Sequence, residues 1–277
     1  GNPSGVLTFE PHPRTYFNRE LEPFRLMDSS TRIARLRELK LDLVIELCFD
    51  KILENLTPHK FAKEILSEKL SLKNVVIGCD FQFGKGRAGN VDDLIKYGKE
   101  FGFKVSTVNI KKSKSQEISS SIIRKLLKAG KPEKAAEMLG RNYQISGKVE
   151  KGFQLGRTLG FPTINLKFKD TIVPRYGVYA ARVNIITGKN RGQYNGVASI
   201  GERPTFGKHL ANLEVYIFDF SGNLYDQEVT VSLIEYQRDE IAYEDKSDLI
   251  MQMNKDCNLS RKILSQESKS LNETKNP

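Results

Sequence analysis

The apolar positions of this chain keep two different rhythms. Up to about residue 130, short apolar runs at 5–9 (GVLTF), 41–49 (LDLVIELCF), 74–78 (NVVIG) and 103–110 (FKVSTVNI) alternate with stretches of helical spacing. Runs of that length, rich in Val and Ile and bounded by turn residues, predict strands. The intervening stretches start as helices should. Asp28, Ser29 and Ser30 precede TRIARLREL, and Thr57 caps HKFAKEILSEKL with Pro58 at the first helical position. A third helix is predicted over VDDLIKYGKEFG. Strands and helices in alternation predict a parallel sheet wrapped by helices.

From about 141 the period falls to two. Six runs, YQISGKVEK, INLKF, GVYAARVNII, QYNGVASIG, NLEVYIFDF and EVTVSLIEY, are separated by Gly, Asn and Pro turns. This pattern predicts a six-stranded antiparallel β-barrel. A helix is predicted over 246–264, and the polar run SQESKSLNETKNP reads as a frayed tail. The expected organisation is an α/β domain at 1–130, a barrel domain at 141–264 and a tail at 265–277, with the join near 128–141.

Parallel sheets bind ligands beyond the carboxyl ends of their strands, which singles out three loops. In EPHPRTYF, Pro11 and Pro13 hold His12 in a rigid turn that could wall a pocket, although no partner in sequence makes His12 catalytic. CDFQFGKGRAGN carries three glycines with Lys85 and Arg87, and reads equally as a phosphate loop or a surface loop. In EISSSIIRKLL, Ser119, Ser120 and Ser121 open a helix whose free N–H groups suit a phosphate, with Arg124 nearby. Plain serine capping explains them as well.

In the second half, GRTLGFPTINL puts Thr163 and Asn165 on one strand face and Ile164 on the other. A hydroxyl and an amide oxygen on one face can ligate a hard cation such as Mg²⁺. The glycines before them, Gly152, Gly156 and Gly160, let backbone N–H groups approach phosphates. Glu214 shares a face with Tyr216 and Phe218, as a general base or as an exposed residue on the outside of the barrel. Arg238 opens an RDE run just past the last strand, where it can meet a phosphate or pair with a carboxylate.

Composition narrows the setting. The 277 residues carry 44 Lys and Arg against 34 Asp and Glu, a net charge of +10. That suits either nucleic acid or a polyanionic substrate such as ATP. No basic run interleaved with aromatic residues supports the first, so no nucleic-acid partner is expected. No apolar run reaches the roughly 18–20 residues that span a bilayer, and none looks like a signal peptide, so no membrane partner is expected. Three scattered cysteines fit reduced thiols in a cytoplasmic protein. A strand at 5–9 with no initiator Met before it gives the expectation of a fragment.

The motifs GRTLGFPTINL, GVYAARV, GVASIGERPTFG, LEVYIFDF and YQRDE, in this order, resemble the riboflavin kinase barrel. LTFEPHPRTYF, VVIGCDFQFGKGRAGN and ISSSIIRKLLKAGKPEKAAEMLGR are similar to the FMN adenylyltransferase domain that accompanies it in bacteria. The chain thus resembles the bifunctional bacterial FAD synthetase family: a Rossmann-like nucleotidyltransferase domain, incomplete at its N-terminus, then the kinase barrel with its C-terminal helix.

The resemblance implies FAD biosynthesis from riboflavin, FMN and ATP with Mg²⁺. It assigns Mg²⁺ to Thr163 and Asn165, with Ile164 standing where alanine is usual. It makes Glu214 the base for the ribityl 5′-hydroxyl, places Gly152, Gly156, Arg157, Gly160 and Pro162 over the nucleotide phosphates, and sets Arg238 near the flavin. For adenylyl transfer it assigns the phosphates to Ser119, Ser120, Ser121 and Arg124, and the flavin side to Pro11, His12, Pro13, Asp80 and Phe83. The family's opening His-x-Gly-His type element stands nowhere in this sequence. Adenylyl transfer is therefore expected to be impaired if these residues are the whole polypeptide, while the kinase does not depend on that element. The competing expectation is a basic nucleic-acid-binding or flavin-binding protein without turnover.

Overall fold

The computed structural model describes the backbone of residues 3–109, 112–113, 116–205 and 208–273, which pack as two units. The first comprises Gly1–Leu21 and Arg32–Ile118, and the second comprises Glu22–Thr31 and Ser119–Pro277.

In the first unit β1 (Gly5–Glu10) pairs in parallel with β2 (Leu43–Cys48), and β3 (Asn74–Gly78) pairs in parallel with β4 (Lys104–Val108). The parallel pairing expected from the sequence is present as two separate two-stranded ladders. A short antiparallel hairpin, β5 (Lys112–Ser113) and β6 (Gln116–Glu117), follows. The helices are α1 (Pro13–Phe17), α2 (Ser29–Glu38, which begins in the other unit's share of the chain), α3 (Lys51–Glu54), α4 (Pro58–Lys60) and α5 (Val91–Phe101). A wider π-helical segment, Phe61–Lys69, continues α4.

Local chemistry fixes these starts. Thr57 Oγ1 accepts from the Lys60 N–H at 3.2 Å. Asn90 and Asp93 form a reciprocal capping box on α5, at 3.1 and 3.0 Å. Phe61, Leu66, Ile77, Phe83, Leu94 and Phe103 make the buried core.

The second unit begins with α6 (Ser120–Lys128) and α7 (Pro132–Leu139). Six antiparallel strands follow: β7 (Tyr143–Lys148), β8 (Thr163–Lys167), β9 (Gly177–Ile185), β10 (Gly192–Thr205), β11 (Lys208–Ile217) and β12 (Glu228–Arg238). Their spatial order is β7-β12-β9-β10-β11-β8. The Glu150 N–H, just past β7, donates to the Asn165 carbonyl on β8 at 2.9 Å and draws the curled sheet towards closure. Between β7 and β8 lies the one-turn α8 (Leu155–Thr158), and α9 (Lys246–Glu273) ends the described chain.

Strand alternation sorts the side chains. Ile145, Leu166, Tyr179, Ala198, Leu213 and Val231 point inward and fill the barrel. Burial pushes the Tyr143 and Tyr179 phenols well above the usual tyrosine range. The outer face of β9, β11 and β12 is apolar in part. Ala180, Phe218 and Ile234 pack there against Cys257, Ile263 and Leu264 of α9.

Two boundaries differ from the sequence reading. The first unit does not run on to 130, because Ile123 and Leu127 of α6 and Ala135 of α7 are buried in the same cluster as the barrel interior. Residues 22–31 join that unit too, with the Ile172 N–H donating to the Arg25 carbonyl at 2.8 Å. The expected join at 128–141 therefore contains a packed helix. The tail expected from 265 is helical as far as Glu273. Leu264 is fully buried, and Glu267 one turn later reaches Arg182 at 3.0 Å and Asn142 at 3.1 Å. Those contacts hold the helix beyond Leu264.

Candidate active site

The outer wall of the barrel carries one polar row running across five strands. Asn165 on β8 faces Glu214 on β11, Glu214 faces Ser199 on β10, Ser199 faces Val178 on β9, and Val178 faces Arg238 on β12. The row follows the curved wall over four strand spacings of ~4.8 Å, a path of about 19 Å. On the apolar side of it, Thr163 faces Tyr216, and Tyr216 faces Val197.

At the β8 end the polar atoms converge. Thr163 Oγ1 donates to Glu214 Oε2 at 3.3 Å, and Asn212 Nδ2 donates to Asn165 Oδ1 at 3.1 Å and to Glu214 Oε1 at 3.4 Å. Asn165 is 4% exposed and Asn212 7%, so these amides are held rigidly in the wall. Ile164 turns inward and packs on the barrel core, as its parity required.

A cavity of about 280 Å³ lies over the row from Glu214 to Arg238, with Asn165 and Asn212 buried in the wall beside it, and is bounded by Gly156 and Phe161 on one side and by Met253, Asp256 and Cys257 of α9 on another. Thr163, Ser199, Glu214 and Arg238 all face it. Burial pushes the Cys257 thiol up to about 11, so it stays protonated and serves as apolar wall. At the far end, Arg238 makes a bidentate pair with Asp256 at 2.9 and 2.6 Å, and Gln252 also donates to Asp256 at 2.9 Å. The Asp256 carboxylate holds the Arg238 guanidinium above its ordinary value. Arg238 thus stands at the cavity as a fixed group.

The glycine loop sits at the mouth. A Cβ on Gly156 would overlap the Phe161 carbonyl, whose own N–H donates back to the Gly156 carbonyl at 2.7 Å. Gly160 has φ +86°, open to glycine at no steric cost. Gly156 lines the cavity, whereas Gly152, Arg157, Gly160 and Pro162 lie in the adjoining loop and do not. Gly156→Ala is expected to push the loop off Phe161 and lower the thermal unfolding midpoint, read by calorimetry.

The other predicted residues divide between the units. In the first, His12 Nδ1 accepts from the Arg14 N–H at 3.1 Å and caps α1, between Pro11 and Pro13. Asp80 is exposed in the turn after β3. Phe83 is 6% exposed and stacks on Phe81 with centroids 5.6 Å apart, so it supports its loop from within the core and offers no face to a flavin. In the second unit, Ser119 Oγ accepts from the Ile122 N–H at 3.4 Å, which is the plain capping reading. Ser120 and Ser121 are exposed, and Arg124 donates to Ser121 Oγ at 2.9 Å with its guanidinium 5.7 Å from the centre of the Phe24 ring.

Sequence reasoning missed Asn212, Ser199 and Asp256. Asn212 shares parity with Glu214, a usable signal. Ser199 shows its role only once β10 is in register with β11, and Asp256 only once α9 is docked.

Comparison with known proteins agrees with this layout. A family model described as riboflavin kinase matches residues 139–264, and one described as FAD synthetase matches residues 1–122. A bifunctional riboflavin kinase/FMN adenylyltransferase of Haemophilus influenzae is 38% identical over 259 residues, covering 94% of this chain and 83% of the relative. The enzyme of the same description from Escherichia coli K12 is 34% identical over 254 residues, covering 92% and 80%. The crystal structure of a macrolide-efflux protein from Streptococcus pneumoniae superposes with a TM-score of 0.77 at 29% identity, covering 94% of this chain and 83% of that one. Among the described residues of this chain no helix is long and apolar enough to cross a membrane.

Proposed function

The chain belongs to the bifunctional riboflavin kinase/FMN adenylyltransferase family, and from that premise we propose how its residues divide the work. The protein acts in FAD biosynthesis, with a riboflavin kinase domain that makes FMN and an FMN adenylyltransferase domain that makes FAD. The kinase site is the outer-wall cavity. What carries this reading is the Thr163–Glu214–Asn212–Asn165 network, a carboxylate held at both oxygens beside a buried amide.

Glu214 takes the proton of the ribityl 5′-hydroxyl as that oxygen bonds to the γ-phosphorus of ATP. The bond from the γ-phosphorus to the β–γ bridging oxygen breaks, and ADP leaves with the electron pair. Phosphoryl transfer asks mainly for positioning and charge neutralisation. Thr163 and Asn212 do the positioning, since their hydrogen bonds fix the direction of the carboxylate. The Gly156 turn closes over the phosphates, and the apolar wall from Phe161 to Met253 excludes water from the transferring group.

The donor set suits Mg²⁺. Among the described residues no three His, Cys, Asp or Glu side chains cluster as a protein-only metal cage. One hydroxyl, one amide oxygen and one carboxylate are instead a hard, oxygen-only set, fit for a Mg²⁺ that arrives with nucleotide phosphates and water. Thr163 and Asn165 would hold it, and when bound it neutralises the phosphate charge. Asn165→Ala is expected to raise the Mg²⁺ concentration for half-maximal FMN formation about tenfold or more, measured by titration at fixed ATP. An unchanged Mg²⁺ requirement would remove Asn165 from the metal site.

For adenylyl transfer the reading keeps Ser119, Ser120, Ser121 and Arg124 for phosphate. It keeps Pro11, His12, Pro13 and Asp80 for the flavin side, and leaves Phe83 as core. The site lies in soluble, cytoplasmic chemistry with riboflavin, FMN and ATP as its partners.

A further inference from the structure

The cavity holds a second carboxylate that the phosphoryl transfer does not use. Glu240 lies two residues past Arg238 and lines the same cavity. Its carboxylate rests on Gly201 of β10, where an added Cβ would stand 2.7 Å from Glu240 Cδ. Gly201 has no positive φ, so glycine is needed here for space and not for backbone conformation. Gly201 follows Ser199 by two positions, placing it on the same outer face at roughly 7 Å. Ser199 in turn faces Glu214. Glu214, Ser199 and Glu240 therefore form a short polar track along the cavity floor, surrounded by Val178, Val197 and Ile241.

Among the described residues, neither the Ser199 hydroxyl nor the Glu240 carboxylate makes a side-chain hydrogen bond. Glu240 is nevertheless held above the ordinary glutamate range, first by desolvation and then by Glu202, against the pull of Arg238. A carboxylate at the open edge of the cavity, raised by partial desolvation and with no side-chain donor among the described residues, is ready for a ligand that brings several O–H donors. Riboflavin brings them on its ribityl chain, which runs from the 5′-hydroxyl towards the ring.

We propose that Glu240, seated on Gly201, accepts hydrogen bonds from the inner ribityl hydroxyls of riboflavin and, with Ser199, sets the chain so that its 5′-hydroxyl meets Glu214. This rests on the kinase reading of the cavity. Glu240 reads the polyol, and the apolar wall takes the ring. The site then selects flavins that carry a full ribityl chain over ring systems with a bare alkanol.

The test uses the full chain and steady-state FMN-type product formation from riboflavin and from its 2′-, 3′- and 4′-deoxy analogues. Glu240→Ala is expected to raise KM for riboflavin about tenfold or more, the range of a hydrogen bond to a charged group, with little change in KM for ATP. For at least one deoxy analogue the wild type already shows that loss, and Glu240→Ala adds nothing further. Gly201→Ala, which displaces the carboxylate without removing it, should reproduce the effect. The Gly201→Ala, Glu240→Ala pair should be no worse than Glu240→Ala alone, because the space is then vacant. A Glu240→Ala KM within twofold of wild type, or an equal loss on every analogue, overturns the proposal. Glu214→Ala runs beside it: if that variant keeps full kinase activity, the cavity reading itself falls, whereas a dead Glu214→Ala with a normal Glu240→Ala sinks only the ribityl assignment.

Discussion

Glu214→Gln is expected to lower the rate of FMN formation at saturating riboflavin and ATP by about 10²–10⁴-fold, the usual contribution of a positioned general base. The substitution keeps the shape of the side chain. It leaves an oxygen for the Thr163 hydroxyl, which donates at 3.3 Å, gives up the weaker Asn212 hydrogen bond at 3.4 Å, and can no longer take a proton. Folding should be little affected, so the thermal midpoint serves as the control. Rapid-quench measurement of the first turnover separates a slow chemical step from slow product release. A fall confined to KM would mean that Glu214 binds substrate and does not act as the base.

The second large effect concerns the helix that walls the cavity. Asp256 is 6% exposed and takes both Arg238 hydrogen bonds together with one from Gln252. Asp256→Ala leaves the Arg238 guanidinium at the cavity without its carboxylate, keeping only its hydrogen bond to the Asp239 carbonyl at 2.8 Å. Breaking a buried pair from one side costs about 3–5 kcal/mol, and the lower end applies here because Arg238 keeps some contact with water. Anchors that remain include Arg261 on Asp219, at 2.7 and 2.8 Å, the Gln237–Ser260 hydrogen bond, and Glu267 on Arg182 and Asn142. They should keep α9 helical while its N-terminal half loosens. Urea unfolding is expected to show a lower midpoint, and KM for riboflavin should rise with it. Asp256→Asn, which still accepts from Arg238, should recover part of both.

Much of this architecture was legible in the chain. The switch from helical spacing to period two near 141 marked the barrel, and the parity of Thr163, Ile164 and Asn165 placed two oxygens outward and the isoleucine on the core. Parity also put Glu214 on the outer face. Taken alone that favoured a solvated residue. What sequence periodicity does not contain is the cover: α9 packs on Ala180, Phe218 and Ile234 and turns an outer wall into a cavity. The partner of Arg238 was hidden for the same reason, since Asp256 lies 18 residues away on a helix whose docking is tertiary. The sequence reading carried the α/β half to 130 because α6 looked like its last helix. Its buried stripe, Ile123 and Leu127, packs into the barrel cluster instead. Phe83 sits in a loop whose glycines suggested a ligand, yet its ring fills the core.

The central claim is that riboflavin phosphorylation runs on the outer wall of the barrel at Glu214. It is tested most directly by giving wild type and Glu214→Gln either riboflavin or FMN, with ATP and Mg²⁺, and separating the flavin products by fluorescence chromatography. The account requires wild type to make FMN from riboflavin and the variant to lose that conversion, with whatever FAD the two proteins form from FMN unchanged between them. Undiminished FMN formation by a folded Glu214→Gln protein would contradict it.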